Sequence, residues 1–143
     1  MAKSVEIEKL ALSIETAESA ELSACLGAAL GERFGAREDR PFSILAREEN
    51  DALIGGVNGL THWGWAYVRH LWVAESRRGQ GLGARLIGEA ERLARHRGCV
   101  GVYIDTFEQR VAAFYERLGF ARAGEIADFP PGHSRIFLSK HFQ

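Results

Sequence analysis

The chain has 143 residues, 46% of them hydrophobic and 26% charged, and its 18 lysines and arginines against 19 aspartates and glutamates give a net charge of −1. That length buries one core and is short for two, so a single domain over 1–143 is expected. The balanced charge argues against a nucleic-acid-binding face, and no apolar run reaches the ~20 residues of a membrane span, so neither nucleic acid nor membrane is an expected partner.

In chain order, Val5 to Ile14 alternates as a strand, and Ala17 to Leu30 carries Ala, Leu and Cys at helical spacing before Gly31 and Gly35. Phe42 to Arg47 reads as a strand, Glu49 to Asp51 as its turn, and Ala52 to His62 as the next strand; Trp63-Gly64 turns into Ala66 to Ala74, which makes an antiparallel meander. From Leu82, the residues Leu82, Leu86, Ile87, Ala90, Leu93 and Ala94 fall on one helical face, and Arg95, His96 and Arg97 before Gly98 suit a helix C-terminus. Cys99 to Ile104 is an apolar strand, Arg110 to Leu118 a short helix, and Ala121 to Ile126 and Ser134 to Phe142 form a hairpin. The fold class is therefore α+β, a mixed α/β sandwich, with strand 66–74, helix 82–97 and strand 99–105 as a right-handed βαβ crossover.

Cys25 and Cys99 lie in apolar surroundings with no C-x-x-C pair, and no signal-peptide pattern follows Met1, so buried, reduced thiols in a cytoplasmic protein are expected. His62, His70, His96, His133 and His141 show no ligand spacing with cysteine or carboxylate, and no metal is expected.

The segment Arg77 to Ala84, with Gly79, Gly81 and Gly83, lies between a strand and a helix, where unpaired amides and the helix dipole favour an anion. A pyrophosphate fits, with Arg77 and Arg78 adding charge complementarity. A dinucleotide-binding fingerprint is the rival reading, since Gly79-x-Gly81-x-x-Ala84 has its form and Asp105 ends the next strand. Against it stand the polar excursion Ala74 to Arg78 and the absence of a second βαβ half.

Val73-x4-Arg78-x-x-Gly81-x-Gly83 resembles the acetyl-coenzyme A signature of the GNAT superfamily, and Phe114-Tyr-Glu-Arg-Leu-Gly-Phe120 resembles its second motif. Gly64-Trp65, Leu71-Trp-Val73, Asp105-Thr-Phe107 and Asp128 to Arg135 are similar to one small bacterial branch. The resemblance implies a sheet splayed between strands 66–74 and 99–105, with the pantetheine arm of acetyl-CoA pairing with the backbone near Leu71, Trp72 and Val73. It further implies a donor site of Arg78, Gly79, Gln80, Gly81, Leu82, Gly83, Ala84 and Phe114, with the amides of 79–84 on the pyrophosphate. The implied reaction is direct transfer of acetyl to a primary amine of a small molecule or protein, with the Val73 N–H as oxyanion donor and Tyr115 as general acid. Homodimerisation through exposed strands also belongs to the resemblance.

The general base is left open. By strict alternation Val73 shares a face with Leu71, Arg69 and Tyr67, none a carboxylate, and Arg69 stands where the branch tends to carry an acid. Asp105, Glu108, His70 and His133 are the substitutes, while Trp63, Trp65 and the loop Asp128 to His133 are candidates to border the acceptor entrance. A non-catalytic acyl-CoA sensor, or a donor with a longer acyl chain, is compatible with the same residues.

Overall fold

The computed structural model describes residues 9–143, which divide after Gly35 into two compact units. In the first, α1 spans Ala20–Phe34 and carries Cys25 exposed, against the burial expected of both cysteines; Cys99, in the second unit, is half-buried. The helix starts later than its apolar spacing suggests because Ser19 caps it, accepting from the Leu22 N–H at 3.0 Å. It runs through Gly31 and stops at Gly35, whose φ of 84° leaves the helical region. The strand expected over 5–14 lies outside the described residues at 5–8, and over 9–14 the chain is irregular. Its alternation alone was the wrong guide, because a strand also needs a ladder partner, and the first unit offers none among its described residues.

The second unit contains β1 (Arg40–Arg47), β2 (Leu53–His62), β3 (Trp65–Val73), a single 3-10 turn (Glu75–Arg77), α2 (Leu82–His96), β4 (Gly101–Thr106), α3 (Gln109–Arg117), β5 (Ala121–Ala127) and β6 (Ser134–His141). The six strands form one mixed sheet in the order β1-β2-β3-β4-β6-β5, antiparallel throughout except for β3 beside β4. The expected α+β class, meander, crossover and terminal hairpin are all present, with β6 inserted between β4 and β5.

One face of the sheet carries the core. Leu86, Ile87, Ala90 and Ala94 of α2, and Ala112 and Tyr115 of α3, are buried in one cluster with Val57, Ala66, Val68, Val102, Ile104, Ile136 and Leu138. Each fully buried branched side chain among them contributes about 1.5–3 kcal/mol in transfer free energy. Strand alternation sends Tyr67, Tyr103 and Asp105 to the opposite face, where the Tyr67 and Tyr103 rings stack at 4.8 Å. At the closed end of the β3–β4 pair the Trp65 ring lies over Gly101, where a Cβ would stand 2.6 Å from the ring, so only glycine fits.

β3 and β4 pair for four rungs only, from Trp65↔Gly101 to Val68↔Ile104. The next residue of β3, Arg69, is a bulge: Val68 opposes Gly59 and His70 opposes Asn58, leaving Arg69 without an opposite number. A bulge bends its strand and increases the local twist. It therefore carries the second half of β3 away from β4 and opens the sheet at this point.

Candidate functional site

The bulge also corrects the expectation from strict alternation. Because Arg69 is an extra residue, Leu71 and Val73 lie on the core face with Ala66 and Val68, packed against the buried cluster, while Tyr67 lies on the other. Arg69 is exposed, its guanidinium 5.8 Å from the Tyr67 ring centre.

Beyond the bulge, the hydrogen-bond parity decides which amides face the opening. Ala74 donates to the Ile54 carbonyl at 2.8 Å, so two residues earlier Trp72 is bonded to Gly56, and Val73 and Leu71 turn their N–H and C=O groups away from β2. With β4 no longer alongside, those groups line the gap. The Val73 carbonyl is held by Arg78 Nε at 3.1 Å. Trp72, by contrast, spends its main-chain groups on β2, and its side chain is 48% exposed.

From Val73 the chain passes through the 3-10 turn into Gly79 and Gly81, with φ of 74° and 84°. Gly81 is the N-cap of α2 in the left-handed region, which costs a residue with a Cβ about 1–2 kcal/mol. No side chain caps this helix, so the N–H groups of Leu82, Gly83 and Ala84 have no partner within it. A cavity of about 180 Å³ lies at this end, lined by Ile54, Arg77, Gln80, Gly81, Leu82 and Arg85. The Phe114 ring closes over Gly83, whose Cβ would meet its Cζ at 3.4 Å and Val73 Cγ2 at 3.9 Å. One α2 terminus thus brings Val73, Gly79 to Ala84 and Phe114 together.

Two side chains are used differently from the expectation. Arg77 is neutralised by Glu48, Nη2 to Oε1 at 2.6 Å, so its charge is shared with a carboxylate rather than directed wholly at an anion. Arg85, one turn into α2, lines the cavity and was not singled out from the sequence; its position four residues after the glycine N-cap was the available signal.

Tyr115 sits beneath, on α3, 3% exposed and edged by Phe114 and Phe120. Burial pushes its phenol up to about 12, with the charge of Asp105 adding to the shift. Asp105 is the centre of a network on the other face. It accepts from the Tyr67 hydroxyl at 2.6 Å and from Arg135 Nε at 2.8 Å, and its own side chain is 8% exposed. Burial first, then the hydrogen bond to Asp105, raises the Tyr67 phenol. Arg135 lies among Phe107, Phe129 and Phe137 at 5.6, 5.2 and 5.1 Å from their centres. Both Asp105 oxygens are thereby committed, which weighs against the base role considered for it.

Glu108 and His133 both line a cavity of about 620 Å³ bounded by Phe107 to Arg110 and by Ala127, Asp128 and Gly132 to Ser134. Next to it Phe107, Phe129, Pro130 and Pro131 line an apolar cavity of about 650 Å³. The hairpin loop 128–133 therefore sits beside the C-terminal end of β4. His70 is elsewhere, on the exposed part of β3, with Nδ1 3.4 Å from Asn58 Nδ2. Trp63 and Trp65 do not belong to this end. They occupy the closed end of the β3–β4 pair, where Trp65 meets His141 edge-on at 4.8 Å, away from the hairpin loop. His62 is also at that end, with Nε2 2.8 Å from the Tyr103 hydroxyl and a buried, unpartnered Nδ1; burial lowers its pKa.

Among the described residues no group of three or more His, Cys, Asp or Glu side chains has metal-binding geometry, and no helix is long and apolar enough to cross a membrane. The dinucleotide-binding alternative is not supported by this topology: a 3-10 turn separates β3 from the first glycine, and the mixed sheet lacks the second parallel half.

Comparison with known proteins gives a consistent result. The model described as "Acetyltransferase (GNAT) family" matches residues 8–120. An acetyltransferase of Agrobacterium fabrum is 41% identical over 110 residues, 77% of this chain and 80% of its own. The blasticidin-S acetyltransferase of Streptomyces morookaense is 40% identical over 107 residues, 72% of this chain and 79% of its own. Among solved structures, an Agrobacterium tumefaciens protein described as an acetyltransferase superposes with a TM-score of 0.79 at 35% identity, covering 93% of this chain and 100% of its own. A Bacillus anthracis protein described as a streptothricin acetyltransferase, in complex with acetyl coenzyme A, superposes with a TM-score of 0.64 at 26% identity, covering 72% of this chain and 64% of its own.

Proposed function

The chain belongs to the GNAT acetyltransferase family and is an acetyltransferase; on that footing we propose that it takes acetyl-CoA as donor and passes the acetyl group directly to a primary amine of a small molecule or protein. The observation that carries the donor assignment is the opening of β3 from β4 at Arg69, which leaves the Leu71 and Val73 main-chain groups lining a gap that leads to the uncapped start of α2. A pantetheine arm carries amides that can pair with a strand edge, and a diphosphate suits the free N–H groups of residues 79–84. The acetyl-CoA complex of the Bacillus anthracis relative supports the same donor.

In the proposed step a neutral amine attacks the thioester carbonyl, the oxyanion is held by the Val73 N–H, the C–S bond breaks as Tyr115 donates to the departing sulfur, and the amine nitrogen sheds its proton to solvent, from which the Tyr115 phenol is restored. With its phenol held near 12, Tyr115 is protonated at neutral pH. An ordinary thiol has a pKa of about 8.5, so donation gains force only as thiolate charge develops. Asp105 holds Tyr67 and Arg135 in place, and Glu108 and His133 are, with Asp128, titratable groups lining the cavity beside the hairpin loop, where an acceptor could enter. The single domain over 1–143 is supported by a family match that crosses the division at Gly35. Pairing of two copies through an edge strand stays within the proposal, with β1 and β5 as the edges.

Thiol release from acetyl-CoA with a panel of amines tests the reading. Tyr115→Phe is expected to lower kcat about 10²–10⁴-fold with donor affinity retained. Unchanged turnover would remove Tyr115 from the step. No release with any amine, despite donor binding, would favour the acyl-CoA sensor.

A further inference from the structure

We infer that Arg78 is an exchangeable latch on the donor cleft: its guanidinium holds the Val73 carbonyl while the cleft is free, and transfers to the donor's phosphates when the pantetheine arm takes over that carbonyl. The inference rests on the donor assignment above. Its starting point is a hydrogen bond that the sheet itself does not require. The Val73 carbonyl points away from β2 and has lost β4, so its partner must come from outside the sheet, and Arg78 Nε supplies it at 3.1 Å. An unmade bond at a strand edge is costly, and an arginine donor makes a charge-assisted one.

The two ends of the latch are close in the chain. Arg78 is the residue immediately before Gly79, and its backbone N–H is already turned inward to the Glu75 carbonyl at 3.3 Å. The side chain is therefore the part of Arg78 free to choose between partners. Its neighbour Arg77 is committed to Glu48, so Arg78 is the uncommitted cation of the pair. A neutral carbonyl is a weaker partner for a guanidinium than a phosphate, which offers two oxygens to the planar fork. A donor amide that pairs with the Val73 carbonyl competes with Arg78 for that oxygen, and the phosphates offer the guanidinium a better acceptor. Binding of the two parts of the donor is coupled in this way.

The coupling makes donors with and without phosphates respond to Arg78 in opposite senses. Affinities of acetyl-CoA and of S-acetylpantetheine, which lacks the phosphates, are to be measured calorimetrically for the intact protein, Arg78→Ala and Arg78→Gln. Arg78→Ala is expected to weaken acetyl-CoA about tenfold or more, as loss of a charge-assisted bond does, while S-acetylpantetheine binds tighter because no side chain competes for the Val73 carbonyl. Arg78→Gln, which keeps a neutral donor for the carbonyl, is expected to weaken acetyl-CoA similarly and to leave S-acetylpantetheine near the unmodified value. Equal weakening of both donors would mean that Arg78 only shapes the strand, and would overturn the latch. So would an unchanged affinity of Arg78→Ala for S-acetylpantetheine, whether or not acetyl-CoA weakens, because Arg78 would then hold phosphate without competing for the carbonyl. Failure of the unmodified protein to bind acetyl-CoA would instead remove the donor assignment, and the latch with it.

Discussion

The Tyr67 hydroxyl donates to Asp105 Oδ1 at 2.6 Å across the parallel pair β3–β4, beside Val68↔Ile104, the last rung before the two strands part. It is a clasp at the point where the sheet opens, and Arg135 of β6 secures it from the far side through Asp105 Oδ2 at 2.8 Å. Removing one partner leaves the others with unmet polar groups in a largely buried place.

Asp105→Ala is accordingly expected to destabilise the fold by about 2–3 kcal/mol, since it strands both the Arg135 charge and the Tyr67 hydroxyl, whereas Tyr67→Phe costs about 1 kcal/mol. Urea unfolding at neutral pH separates the two. Equal small losses would mean that solvent replaces the carboxylate.

Tyr115 gives a pH dependence. Its folded-state pKa of about 12 exceeds the ordinary value of 10.0, so the native protein keeps a proton that the unfolded chain has released between those values. The associated stability is complete below about pH 10 and falls as pH rises through about 12, by on the order of 2–3 kcal/mol in all. Urea titrations at about pH 9 and about pH 11 check this; Tyr115→Phe should flatten the decline, leaving the smaller contributions of Tyr67 and Tyr103, whose phenols are also raised, first of all by burial.

The bulge gives a sharper test of how the cleft arises. Deleting Arg69 restores a regular ladder yet keeps Leu71 and Val73 on the core face, because the bulge accounts for the one extra residue. The deletion variant is expected to fold, with its circular dichroism unchanged and acetyl-CoA affinity lost. Arg69→Ala, which keeps the backbone, should retain most donor affinity.

Glu48 moderates the charge at the start of α2 through Arg77. The pair is half-exposed, so solvent screens it and Glu48→Gln should change stability by less than about 1 kcal/mol. By freeing Arg77 beside the proposed diphosphate it should tighten acetyl-CoA binding about two- to threefold, an effect that added salt suppresses.

What was legible in the sequence were the features fixed by local rules. The glycines of 79–83 before a helical stripe located the uncapped start of α2, and the apolar runs between turn residues placed all six strands of the sheet. The bulge was not read, because Trp65 to Val73 passes for one continuous alternation; its trace is the adjacent polar pair Arg69-His70 inside an apolar strand. The Asp105–Arg135 contact was out of reach for a different reason. It depends on β6 lying beside β4, a long-range pairing that a hairpin signal does not specify. That Trp65 lies at the paired end of β3–β4, apart from the hairpin loop, was out of reach for the same reason, since which end of a parallel pair opens is set by the register.

The measurement that bears most directly on the account is the thermal stability of the purified protein with and without acetyl-CoA, set beside NAD, and repeated with Gly81→Glu. Gly81 has φ of 84° at the head of α2, where a side chain is strained and a carboxylate repels phosphate. The account predicts a rise in melting temperature with acetyl-CoA that the substitution abolishes, and little response to NAD. Stabilisation by NAD with none by acetyl-CoA would contradict it.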